Sequence, residues 1–64
     1  MTFKTLVEAL NLQLIINDGY QVAFDYATDA ETFIELAKEE GIKVYADFIR
    51  DSKTGKYYIY EKRY

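Results

Sequence analysis

The chain has 64 residues, half of them apolar and 17% aromatic, and its eight basic and eleven acidic side chains give a net charge of −3. A chain this short buries only about 60% of the surface its unfolded form exposes, so it holds one small domain with a thin core. Cysteine, proline and histidine are absent, which excludes disulfides, thiolate nucleophiles, Ser-His-Asp triads, haem or iron–sulfur ligation and zinc sites of nitrogen and sulfur.

Phe3, Leu6, Val7 and Leu10 recur at helical spacing and define one apolar stripe. Thr2 is expected to cap the start of this helix, and Asn11 to end it in the left-handed conformation. The period then changes to two. Leu12, Leu14 and Ile16 alternate with Gln13, Ile15 and Asn17, and Tyr20, Val22, Phe24 and Tyr26 alternate with Gln21, Ala23 and Asp25. This pattern predicts a hairpin with one wet face. A two-residue Asp18-Gly19 loop would put the large apolar residues of the two strands on opposite faces. A three-residue Asn17-Asp18-Gly19 loop instead sets Ile16 opposite Tyr20, Leu14 opposite Val22 and Leu12 opposite Phe24. It resembles a type I turn with a glycine bulge, with Gly19 at positive φ. A one-residue slip exchanges the faces, so burial favours the three-residue loop.

Thr28-Asp29-Ala30-Glu31 fits a capping box, with Thr28 as N-cap and Glu31 returning the hydrogen bond. Ala30, Phe33, Ile34, Leu36 and Ala37 form the apolar face of this second helix, and Gly41 ends it. Beyond it, Ile42, Val44, Ala46 and Phe48 alternate with Lys43, Tyr45, Asp47 and Ile49, and the loop Ser52-Lys53-Thr54-Gly55 leads into Tyr57-Tyr58-Ile59-Tyr60. Aligning Thr2-Phe3 with Thr32-Phe33 puts Asn11 on Gly41, Leu12 on Ile42 and Leu14 on Val44. The expected fold class is therefore α+β: two αββ units forming a four-stranded, mostly antiparallel sheet with both helices on one face. Residues 1–64 form a single αββαββ domain in this reading, with a pseudo-repeat at 2–26 and 32–64.

The second hairpin is apolar on both faces. A four-residue loop pairs Asp51 with Lys56 and Phe48 with Ile59, leaving Tyr45, Ile49, Tyr58, Tyr60 and Tyr64 outside. A three-residue loop would set Asp47 against Glu61, a like-charge pair, so the four-residue loop is favoured. Helices on one face cannot hide both sets, and several large side chains exposed together make a patch of the kind that marks contact sites. Charge is uneven as well: residues 1–41 carry a net −6 and residues 42–64 a net +3.

These features give three functional expectations. In the first, a non-enzymatic binding module docks through Tyr45, Ile49, Tyr58, Tyr60 and Tyr64 with Arg50, Lys43 and Lys62, a mixture typical of interface hot spots. Its partner is a second copy of the chain, giving a homodimer, or a larger host protein that it inhibits, as small acidic phage-type proteins do by analogy of size and charge. The acidic row Asp29, Glu31, Glu35, Glu39 and Glu40 would then imitate phosphates, although such a ridge is ordinarily a solvated face. The alternative is single-stranded nucleic acid stacked on the tyrosines with lysines at the phosphates, which the negative net charge opposes. Catalysis is the weakest: Asp47 and Glu61 are the one carboxylate pair to consider. Thr54-Gly55-Lys56 lacks both the leading glycine and the Ser/Thr of a phosphate-binding loop. No cofactor and no metal is expected. The first residues do not read as a signal peptide and no stretch is long enough for a membrane span, so a cytoplasmic protein is expected.

Overall fold

The structure is a computed structural model that describes residues 1–46 and 48–62. Its first helix, α1 (Phe3–Ala9), starts where the sequence places it. Thr2 is extended, its hydroxyl accepts from the Thr5 N–H at 3.2 Å, and the Thr5 hydroxyl accepts from the Thr2 N–H at 2.7 Å. This reciprocal cap satisfies two of the amide donors that a helix start leaves open. Phe3, Leu6 and Val7 are buried, whereas Leu10 is exposed because it is the C-cap, where the chain turns away.

The second helix, α2 (Ala27–Glu39), begins earlier than expected. Tyr26 is its extended N-cap and makes no side-chain cap bond, so the capping box at Thr28 and Glu31 does not form. Thr28 lies within the first turn, and its carbonyl accepts from the Thr32 hydroxyl at 2.9 Å. The helix gains two residues by running back through Ala27, the best helix-forming residue type, to the bond from the Ala30 N–H to the Tyr26 carbonyl.

Both helices end in the same motif. Asn11 (φ 57°) donates to the Glu8 carbonyl and Leu12 to that of Val7. Gly41 (φ 71°) donates to Lys38 and Ile42 to Ala37. These are paired Schellman bonds at the two positions the sequence aligned.

Three antiparallel strands, β1 (Ile15–Ile16), β2 (Tyr20–Phe24) and β3 (Tyr57–Tyr60), form a sheet in the order β1-β2-β3. Ile15 pairs with Gln21 and Ile16 with Tyr20, which is the register of the three-residue loop. The turn itself differs from a type I turn with a glycine bulge, since Asp18 (φ 55°) joins Gly19 (φ 126°) at positive φ. Leu12 and Leu14 stay outside the strand but pack against the core. Ile16 was expected to face inward, yet it is 72% exposed. It lies on the edge strand beyond Tyr20, the residue on which the Phe3 ring stacks at 6.5 Å.

The expected fourth strand is the main correction. Among the described residues, 42–50 contribute two isolated antiparallel bridges, Arg50 with Tyr57 on β3 and Val44 with Glu61 just beyond it. The loop end keeps the four-residue register, because Asp51 donates to the Lys56 carbonyl at 2.8 Å. However, Val44 and Arg50 are six positions apart while Glu61 and Tyr57 are four apart. The stretch between the bridges therefore carries two more residues than the strand opposite, as a bulged edge does, and the two bridges do not continue one register. The expected pairing of Phe48 with Ile59 is lost. The Phe48 and Tyr57 rings instead meet nearly at right angles, their centres 5.5 Å apart.

Both helices pack on the sheet face that carries Val22, Phe24 and Ile59. Phe33 holds the layer together: its ring lies 5.7 Å from Phe3 on α1 and 5.5 Å from Phe24 on β2.

Candidate functional site: the outer sheet face

Side chains alternate across a strand, so the neighbours of Val22 and Ile59 point away from the helices. Gln21 pairs with Ile15 on one side and Tyr60 on the other, and Ala23 pairs with Tyr58. Tyr45 extends the first row, its N–H donating to the Tyr60 carbonyl at 3.1 Å. One row thus runs Tyr45, Tyr60, Gln21, Ile15 across the outer face, with Tyr58 and Ala23 in the next.

Tyr45 and Tyr60 are 45% and 46% exposed, and Ile49 on the bulge is 84% exposed. Tyr58 is half-buried, its hydroxyl 3.4 Å from that of Thr54. Lys43 and Lys62 close the basic end: Lys62 donates its N–H to the Lys43 carbonyl, and its ammonium sits 5.7 Å from the centre of the Tyr45 ring. That distance is within the range of a cation–π attraction. Between the bulge and β3 lies an open hollow of about 330 Å³, in which Phe48, Ile49, Arg50 and Asp51 face Tyr58 and Tyr60.

Arg50 is less available than the sequence implies. Its Nε donates to the Gly55 carbonyl at 3.3 Å, so the guanidinium clasps its own loop. Asp51 supports the same loop, one carboxylate oxygen accepting from the Lys53 and Thr54 N–H groups. Tyr64 lies outside the described residues, as does Asp47, so the Asp47–Glu61 pair is not placed. Asp29, Glu31, Glu35, Glu39 and Glu40 are all exposed along α2 and its C-cap, away from the tyrosine face.

Sequence reasoning missed Gln21, which it placed on a wet face. Gln21 is only 5% exposed, and its side-chain amide donates to the Asn17 carbonyl at 3.0 Å. It sits on the middle strand with Ile15 and Tyr60 as lateral neighbours, and that covering follows from strand order, which periodicity does not encode.

Among the described residues, no group of three or more acidic side chains is arranged to hold a metal ion, and no helix is long and apolar enough to cross a membrane. Comparison with protein-family models, curated proteins and solved structures gives no match.

Proposed function

We propose that this chain is a non-enzymatic protein-binding module that docks through its outer sheet face, with Tyr45, Tyr58, Tyr60 and Ile49 as anchors and Lys43 and Lys62 at one end. The observation that carries the reading is the placement of both helices on the opposite face, which leaves Tyr45, Tyr60 and Ile49 exposed and Tyr58 half-buried. Tyrosine suits the role, since it offers a large contact area with little rotamer freedom to lose. The first partner to consider is a second copy of the chain, because self-association would supplement a thin core. A standard docking surface takes about 800 Å² from each partner, roughly a sixth of the 4745 Å² that the chain exposes.

Sedimentation tests this directly. A mass near twice 7.5 kDa, returning to the monomer value in the double variant Tyr58→Ser, Tyr60→Ser, is the expected result. A concentration-independent monomer would remove the homodimer and leave a larger protein as partner. In that case capture of the partner is lost when Tyr45 and Ile49 are made polar, and unchanged capture refutes the site. The stacking of Lys62 on Tyr45 keeps single-stranded nucleic acid as the second reading; it requires oligonucleotide binding that weakens as salt rises.

A further inference from the structure

A second surface lies along the outward edge of residues 42–46. The Val44–Glu61 bridge is made by two hydrogen bonds, from the Lys62 N–H to the Lys43 carbonyl at 2.9 Å and from the Tyr45 N–H to the Tyr60 carbonyl at 3.1 Å. In an antiparallel ladder, the residue between two such bonded neighbours turns its own N–H and C=O the other way. Val44 therefore presents both groups away from β3, and neither has a backbone partner among the described residues. A chain edge in that state is a template for an added strand.

The surroundings set the chemistry of what would be added. Beside this edge, between it and α2, is a groove of about 460 Å³. Ile34, Ile42 and Val44 give it an apolar floor, and its charged lining consists of Lys38, Lys43 and Lys62. The one ion pair among the described residues is elsewhere, between Lys56 and Asp25. Lys38 also faces the negative end of the α2 dipole, which accounts for part of its placement. Lys43 and Lys62 stand opposite each other across the ladder, an arrangement of like charges that is unfavourable until an anion comes between them.

The geometry points to an extended acidic peptide segment as the occupant of this edge. Its backbone pairs with the N–H and C=O of Val44. Alternate apolar side chains settle on Ile34, Ile42 and Val44, and the intervening carboxylates meet Lys43 and Lys62. The unpaired main-chain groups favour a peptide over a nucleic acid, whose phosphates would answer the lysines but not the ladder. This site shares Lys43 and Lys62 with the outer face but none of its tyrosine anchors, and it stands whether or not those anchors bind a partner.

The test titrates a short peptide of alternating valine and glutamate into the chain while NMR follows backbone shifts and exchange of the Val44 amide. At saturation that amide is expected to exchange at least about tenfold more slowly, with shifts centred on residues 42–46 and Ile34. Binding weakens as salt rises. The double variant Lys43→Gln, Lys62→Gln, shown to be folded by its circular dichroism, weakens binding by about tenfold or more. Tyr58→Ser with Tyr60→Ser leaves binding unchanged, which separates this edge from the outer face. Unaltered Val44 exchange, equal binding of a valine–lysine peptide, or the same shifts produced by oligo-dT would each overturn the proposal.

Discussion

The two halves of the chain leave their helices in the same way and then diverge. Asn11 and Gly41 close α1 and α2 with matching hydrogen bonds, yet one is followed by a strand pair in register and the other by an edge that bulges. The most extensive pairing is in neither expected hairpin. It joins β2 to β3 through four consecutive pairs from Gln21–Tyr60 to Phe24–Tyr57, across the two units. The reason is burial. Val22 and Ile59 face each other in the middle of that ladder, and both are fully covered by the helices. The flanking segments have a partner on one side only, and both are irregular: β1 keeps two residues and 42–50 keeps two bridges. Regularity here follows the helix roof rather than the sequence repeat.

The contrast between roofed and unroofed residues gives the largest expected effect. Ile59→Ala should destabilise the chain by about 2–5 kcal/mol, because it opens a cavity in the core between the sheet and the helices. Ile49→Ala should stay within about 0.5 kcal/mol in the monomer. Urea midpoints measured below any self-association concentration decide it, and equal losses would show that the bulge is packed.

A smaller effect separates the left-handed glycines. Gly41→Ala meets no atom within 4 Å, so it should lose only the backbone preference, about 1–2 kcal/mol. Gly55→Ala should lose somewhat more, since the new methyl would stand 3.1 Å from the Arg50 guanidinium and disturb its clasp. Thermal unfolding of the two variants ranks them, and a milder Gly55→Ala would mean that the clasp contributes nothing.

The smallest contrast is at the helix starts. Thr2→Ala removes a reciprocal cap and should cost about 1 kcal/mol. Thr28→Ala, within the first turn and without a cap bond, should be neutral or slightly stabilising, since alanine is the better helix former. If the two variants behave alike in chemical denaturation, the assigned α2 start is wrong.

Much of the local structure was legible. The apolar spacing marked both helices, Asn11 and Gly41 marked their ends, and the large residues around Asn17-Asp18-Gly19 selected the three-residue loop. The exposed tyrosines and Ile49 followed from counting apolar residues on both faces of a ribbon roofed on one. Other features were hidden because they depend on neighbours distant in sequence. Thr28 has the composition of a cap, but the path out of β2 makes Tyr26 the cap. The alternation of residues 42–49 resembles a strand, but β3 has two positions too few to match it. Arg50 reads as a free cation until Gly55 is seen to hold it.

The sequence alone determined the helices, their left-handed ends and the tight first loop, because each depends on residues within a turn or two of one another, and the opposite charges of the two halves, which are a matter of composition. Tertiary structure decided which strands pair at length, that Gln21 is covered, and that the last ribbon opens at its edge. Those outcomes depend on what lies across the sheet, where a side chain's burial is set by neighbours that local periodicity does not specify.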